Sequence, residues 1–369
     1  GMLGASAGTY TAPAGLVTTG GTGSICHAML AYRIAGTERG VTKPNVVKAS
    51  TGHPAFDKAC FLFGIEMRVA PIDPDTTQVD LAAMAEMVDD QTIALIGSAG
   101  NYPYGTIDDI EAMSDLALER GVGLHVDGCL GGFILPWGRD LGYDIPPFDF
   151  TVPGVTTISA DTHKYGYGFK GTSVAAFRDK EMRNSVFYCL PEWTGGKYNS
   201  PGIDGSRSGG LLAATWAALV GLGKEGYREY ADQIFKTSYA MQDAVTSHPE
   251  LRLMGSPTFC FSFTSDEIDI YHVNDHLQSL GWRLNGQQYP DAVHMSVTRP
   301  QTAPGVLERW TEDLAAAVAY AKEQPADAKP LTGAIYGGVE GGLTDEADEF
   351  IRDQLTRYIE RSLALPPEG

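Results

Sequence analysis

Ser159-Ala-Asp-Thr-His-Lys-Tyr-Gly-Tyr-Gly-Phe-Lys-Gly-Thr-Ser173 follows an apolar run, 155–160, that reads as a buried strand, and it carries a histidine and a lysine just past that strand's end. Parallel α/β sheets bind ligands outside the carboxyl ends of their strands, so Lys164 is placed for a bound molecule rather than for bulk water. Taken alone, a neighbouring His163 and Lys164 are most often an ordinary charged loop, and the reading depends on what surrounds them.

Upstream, Leu124-His-Val-Asp127-Gly-Cys-Leu-Gly-Gly132 is a second apolar strand, ending in a carboxylate and a glycine-rich turn. Asp127 precedes Lys164 by 37 residues, room for one excursion and one return strand, so both side chains can reach one sheet edge. An amine and a carboxylate so placed suit pyridoxal phosphate, which needs the first for a Schiff base and the second against its pyridine nitrogen. The plainer reading of Asp127 is a cap on the following turn. Val17-Thr-Thr-Gly-Gly-Thr-Gly-Ser24 leads into a helical stretch, 25–34, and the backbone N–H groups of Gly21, Thr22 and Gly23 with the Thr22 hydroxyl form an anion site there. The run matches neither the Walker loop nor a dinucleotide fingerprint, and similar runs occur as tight turns. Ser50-Thr-Gly-His53-Pro-Ala-Phe-Asp-Lys58 ends another strand; an imidazole here could lie on a pyridine ring and exchange protons, or simply be satisfied by local backbone. Four such elements converging on one edge carry more weight than any one.

The rest of the sequence frames this site. Strands over 45–50, 66–71, 92–98, 122–127, 155–160 and 172–177 alternate with helices over 54–63, 81–88 and 109–120, the rhythm of a doubly wound, mostly parallel sheet. Gly64 and Gly121 stand as helix stops. After Gly210 longer helices, 211–222 and 225–247, precede strands over 258–264 and 292–298 and helices over 270–280, 305–322 and 345–363, with a Pro/Ala-rich connector at 324–332. This gives two expected domains, a large cofactor-binding one over residues 1–222 and a small α+β one over 223–369. The 369 residues carry 27 Lys+Arg against 46 Asp+Glu, a net charge of −19 that disfavours nucleic acid and anionic membrane faces. Five scattered cysteines without a C-x-x-C pair indicate neither disulfide framework nor zinc knuckle and point to a reducing cytoplasm. No apolar run is long enough for a transmembrane anchor, and no signal peptide is visible. His272 and His276, four apart on a helix, lack a third metal ligand and read as a solvated face; no metal site is expected. Met84 and Met87 read as helix core or edge, and the acids over 344–353 as support for a helix start.

On Ala160-Asp-Thr-His-Lys-Tyr-Gly-Tyr167, backed by Gly20-Gly-Thr22, His53-Pro-Ala-Phe-Asp-Lys58, Asn101-Tyr-Pro-Tyr-Gly105, Asp127-Gly-Cys-Leu-Gly-Gly132, Gly205-Ser-Arg207 and Gly281-Trp-Arg-Leu-Asn-Gly286, the sequence resembles the fold type I pyridoxal-phosphate enzymes. Within them it is most similar to the group II decarboxylase-like set and, there, to the bacterial sphingosine-1-phosphate lyase family. The resemblance implies a transferase-like α/β fold with a seven-stranded-type sheet. It makes Lys164 the Schiff-base lysine, Asp127 the partner of the pyridine nitrogen and His53 the residue stacked on the ring. Gly21, Thr22 and His163 would hold the cofactor phosphate, with Ser206 arriving from the neighbouring subunit of a homodimer with shared active sites. Tyr102 and Lys170 would face the substrate, a phosphorylated small molecule or lipid. The implied reaction is retro-aldol cleavage of a phosphorylated sphingoid base to phosphoethanolamine and a fatty aldehyde.

Two departures accompany the likeness. Gly23 stands where the family usually has Glu, and the phosphate loop arrives near residue 20, whereas relatives carry an arm of well over a hundred residues before it. The expectation is a truncated chain or one that has dispensed with that arm. Two alternatives are a pyridoxal-phosphate amino-acid decarboxylase, for which Arg207 and Arg299 are the available carboxylate-binding cations, and a non-catalytic relative of the same fold.

Overall fold

Every strand read from the first half of the chain forms, and one that the sequence reading passed over joins them at an edge. The computed structural model describes residues 2–3, 13–325, 327–333 and 343–363. In chain order the first half contains β1 (Ala14–Thr18), α1 (Gly21–Glu38), β2 (Asn45–Ala49), α2 (Ala55–Phe63), β3 (Glu66–Ala70), α3 (Leu81–Glu86), β4 (Thr92–Ser98), α4 (Ile110–Arg120), β5 (Gly123–Asp127), α5 (Leu135–Asp140), β6 (Val155–Ala160) and β7 (Ser173–Phe177). The seven strands lie in the order β1-β7-β6-β5-β4-β2-β3. The five from β6 to β3 run parallel, β7 is antiparallel to β6, and β1 is antiparallel to β7.

Every residue of β2 and β4 is buried, as expected of strands covered on both faces. Their pleat sends Val46, Ala94 and Ile96 into one apolar layer with Ile25, Met29 and Phe56 of α1 and α2. Val47 and Leu95 face the opposite layer, with Met84, Met113 and Leu135 of α3, α4 and α5. The sheet is therefore doubly wound. Gly64 and Gly121 end α2 and α4 in the left-handed conformation, with φ of 61° and 64°.

Helix α1 starts at Gly21, four residues before the predicted start. Gly20 provides the entry with φ 139°, a value open to glycine, and no side chain caps the first turn. Between β7 and the next long helix lie α6 (Lys180–Ser185) and an exposed hairpin of β8 (Tyr188–Trp193) and β9 (Gly196–Ser200). The hairpin escaped the sequence reading because Pro191 sits inside its first strand and its residues, Ser200 excepted, are exposed, leaving no half-buried alternation to detect. The two predicted helices after Gly210 run end to end as α7 (Gly209–Thr246), broken at Gly223 with φ 58° and ψ −174°.

The remaining elements are β10 (Arg252–Leu253), β11 (Cys260–Thr264), α8 (Ile270–Ser279), β12 (Asn285–Gln287), β13 (Ala292–Ser296), α9 (Val306–Lys322) and α10 (Asp345–Leu363). An antiparallel sheet in the order β10-β11-β13-β12 packs Phe261 and Phe263 against Trp310 of α9. His272 corrects the expectation of a solvated face. It is buried, and its Nε2 lies 3.3 Å from the Ala328 carbonyl, while His276 stacks on Tyr320 with ring centroids 4.7 Å apart. The helix carrying them turns that face toward α9 and the connector, because its apolar residues Ile270, Val273 and Leu277 flank the same side. Residue 326 of the connector lies outside the described residues. Among the described residues no helix is long and apolar enough to cross a membrane, and no group of three His, Cys, Asp or Glu could hold a metal. All five cysteines are free thiols.

Candidate active site

A cleft of about 550 Å³ opens where β5 and β6 end, bounded by the start of α1 and the turn after β2. Gly21, Thr22, Gly23, His53, Asp127, His163 and Lys164, named from the sequence, all line it. Strand adjacency brings this about, because β5 and β6 are neighbours and end at the same edge.

Asp127, the last residue of β5, is buried and accepts hydrogen bonds on Oδ1 from the Cys129 amide at 3.0 Å and the Ser159 hydroxyl at 2.9 Å. Behind it, His125 joins Ser159 Oγ at 3.2 Å and Thr157 Oγ1 at 2.7 Å. Burial pushes the His125 pKa down to about 4, so this ring is neutral. For Asp127 burial works against the carboxylate, but the charge of His125, present only in acid where that ring is protonated, the Cys129 amide and Lys164 outweigh it, and its pKa lies below the ordinary value. The carboxylate is therefore ionised at neutral pH.

Lys164 Nζ lies 3.0 Å from Asp161 Oδ2. Asp161, one residue past β6, is buried, and its Oδ1 has no hydrogen-bond partner. His163 donates from Nδ1 to the Thr172 carbonyl at 2.8 Å, which leaves Nε2 on the side of Asp161, 3.7 Å away. A Cβ on Gly21 would stand 2.8 Å from both Asp161 oxygens and 3.0 Å from Cys129 Sγ, so only glycine lets α1 begin this close to the strand ends. The uncapped first turn of α1 presents backbone donors and the positive end of the helix dipole, an anion seat. An anion seat, an amine and a buried ionised carboxylate in one cleft fit pyridoxal phosphate, whose phosphate, aldehyde and ring nitrogen require those three partners.

Sequence reasoning passed over several cleft residues. Asp161 lies inside the Ser159–Ser173 stretch and Lys58 inside the Ser50–Lys58 stretch, and neither carries a spacing that sets it apart along the chain. His27, Cys129 and Asp204 also line the cleft. His27 bridges its own helix to the loop after β9, with Nδ1 2.7 Å from the Gly23 carbonyl and Nε2 accepting the Ile203 amide at 3.1 Å. Only the three-dimensional path of that loop reveals the link. Tyr102, Lys170 and Ser206 are not among the residues lining the cleft. Tyr102 is instead engaged with the small sheet, accepting from Asn285 Nδ2 at 2.5 Å and packing against His294 with centroids 4.6 Å apart. Arg207 and Arg299 are absent from the lining as well, and the Arg299 guanidinium sits 4.0 Å over the Tyr230 ring.

Comparison with known proteins agrees with this architecture. A glutamate decarboxylase from Lactobacillus brevis superposes with a TM-score of 0.76 at 22% identity, covering 88% of this chain and 78% of that one, a likeness of fold. The architecture is that of the fold type I pyridoxal-phosphate enzymes, a large mostly parallel sheet domain with a smaller C-terminal α+β unit. Residues 1–263 match the pyridoxal-dependent decarboxylase conserved domain. A sphingosine-1-phosphate lyase from Burkholderia pseudomallei matches at 51% identity and a TM-score of 0.89, covering 99% of this chain and 78% of that one. The chain belongs to the pyridoxal-dependent decarboxylase family, in its sphingosine-1-phosphate lyase group. Lyases of that name from Drosophila melanogaster and Arabidopsis thaliana are 40% and 42% identical over 97% and 94% of this chain. The chain spans 65% and 63% of the length of those two relatives, just under two thirds.

Proposed function

We propose that this chain is the catalytic part of a pyridoxal-phosphate-dependent lyase that splits a phosphorylated sphingoid base into phosphoethanolamine and a fatty aldehyde. The observation that carries the reading is the convergence of Lys164, Asp127 and the uncapped start of α1 on one cleft, in a chain akin to sphingosine-1-phosphate lyases. When bound, the cofactor supplies an electron sink for the breaking carbon–carbon bond. Lys164 would hold the cofactor through its aldehyde and supply an amine beside the reacting carbon. Asp127, ionised and held by Ser159 and the Cys129 amide, would keep a proton on the ring nitrogen. Gly21, Thr22, Gly23 and His163 would seat the phosphate, and His53 would lie against the ring. Its Nδ1 accepts the Ala55 amide at 3.1 Å, which places the imidazole proton on Nε2.

Tyr102 and Lys170 serve the substrate in this reading, and Ser206 is given to a neighbouring subunit, consistent with its place outside its own chain's cleft lining. A homodimer with shared sites, a large domain over residues 1–222 and a small one over 223–369 belong to the same proposal, as does a reducing cytoplasmic setting for five free thiols. The decarboxylase alternative is less well supported: the chain is 51% identical to a sphingosine-1-phosphate lyase and 22% identical to a glutamate decarboxylase.

The test is to add pyridoxal phosphate to the purified protein, reduce with borohydride and map the modified residue. A phosphorylated long-chain base is then supplied and aldehyde release followed. Cofactor fixed on Lys164 and aldehyde formation are expected; cofactor that reduction never attaches there would overturn the assignment.

A further inference from the structure

Lys48 is out of place by composition. It lies on β2, a strand whose every residue is buried, and is itself 5% exposed. Lysines are almost never this buried unless paired. Its Nζ donates to the Gly52 carbonyl at 3.0 Å and to Asp57 Oδ2 at 2.5 Å. One side chain thus ties three points of the path: the end of β2, the turn after it, and the first turn of α2, where Asp57 sits. The turn is fitted to that side chain. A Cβ on Gly52 would stand 3.0 Å from Lys48 Cδ and 3.0 Å from the Ala49 carbonyl, so glycine lets the backbone lie against the lysine stem. Thr51 Oγ1, buried nearby, has no hydrogen-bond partner and does not hold the turn. His53 follows directly after Gly52 and lines the cleft.

We propose that Lys48 is a positioning residue for His53: its buried ammonium, clamped between the Gly52 carbonyl and Asp57, fixes the turn that presents the imidazole to the cleft. The proposal rests on the reading above, in which His53 lies against the cofactor. Freed from the clamp, the turn keeps its backbone bonds from the Ser50 amide to Ala70 and from the Gly52 amide to Ala49, and His53 keeps the Phe56 amide on its carbonyl and the Ala55 amide on Nδ1, but the unit of turn and α2 loses its charged tie to β2. The imidazole, still bonded to the Ala55 amide, then shifts with the turn and α2 relative to the sheet edge that carries Lys164 and Asp127, and displacements of this kind are costly for an oriented group.

The experiment compares wild type with Lys48→Met, which keeps the buried stem and removes the ammonium, Lys48→Arg, which keeps a cation, and Asp57→Asn, where the partner is half exposed and folding is tolerant. Reactivity of His53 toward diethyl pyrocarbonate is mapped by mass spectrometry with and without pyridoxal phosphate, alongside the cofactor dissociation constant. In wild type the cofactor protects His53. In folded Lys48→Met protection falls and cofactor binding weakens on the order of tenfold, with Asp57→Asn intermediate and Lys48→Arg nearer wild type. Wild-type protection and affinity in Lys48→Met overturn the proposal. If that variant does not fold, Asp57→Asn decides: partial loss of protection supports the clamp and unchanged protection overturns it. A wild-type His53 that the cofactor fails to protect removes the functional reading and the clamp together, whereas protected wild type with unchanged variants removes the clamp alone.

Discussion

Lys164 Nζ rests 3.0 Å from Asp161 Oδ2, and the other oxygen of that carboxylate is buried beside Gly21 without a hydrogen bond. Asp161 therefore touches both the amine and the anion seat. Burial lowers the Lys164 pKa, Asp161 is the largest influence raising it, and the net result lies above the ordinary value. Stability from the pair is complete below the unfolded lysine value and is lost as pH rises through the folded one. Asp161→Asn removes the charge and leaves burial less opposed, so the pH midpoint for covalent attachment of pyridoxal phosphate moves down. Stopped-flow absorbance against pH reads this; an unmoved midpoint would contradict the pairing.

Lys164→Ala should leave the fold intact, since the side chain belongs to a loop and one face of it meets the cleft. Borohydride then fixes no cofactor at position 164. On the proposed role of Lys164, aldehyde release falls by several orders of magnitude.

Asp127→Asn keeps the size of the side chain and its bonds to Ser159 and the Cys129 amide but removes the charge. Cofactor attachment to Lys164 survives, while turnover drops about a hundredfold or more, as when a preorganised charge-stabilising group is lost. In wild type, the stability that Asp127 contributes through its depressed pKa is present above the unfolded aspartate value and lost as pH falls through the folded one. An acid titration of unfolding in wild type and Asp127→Asn measures the difference, which should be confined to acid pH.

Gly105 closes the turn that carries Tyr102 and has φ 72°; a Cβ there would meet the Cys260 carbonyl at 2.1 Å. Gly105→Ala combines a strained backbone with a clash against backbone and should destabilise by about 3 kcal/mol. Urea unfolding reads it, and a midpoint equal to wild type would show that this contact can give way.

The shared-site proposal predicts complementation. Lys164→Ala and Ser206→Ala chains, each impaired alone, should regain activity when co-refolded, because one of the two sites in the mixed dimer carries neither change. Activity that stays at the level of the unmixed variants would place Ser206 outside the partner's site.

The parts of this site legible in the sequence were those written locally. Continuous apolar runs announced β2, β4, β5 and β6, and Asp127 and Lys164 could be placed at one edge because a strand end is a position along the chain as well as in space. The edge strand β1, with its alternating burial, and the exposed β8–β9 hairpin gave no comparable signal. His272 was misread because a helix periodicity shows which face is apolar but not that a polar neighbour on the same side will be covered by α9.

By itself the sequence determined a doubly wound sheet, the break at Gly223 and the residue types gathered at the strand ends, since hydrophobic period and glycine punctuation act within a few residues. Only the tertiary structure shows that Asp161 pairs with Lys164, that Lys48 reaches across to Asp57, and that Tyr102 meets Asn285 and His294 of the small sheet. Those outcomes depend on where side chains end after separate elements pack, and an ion pair or hydrogen bond, effective only over a few ångströms, leaves no periodic trace along the chain.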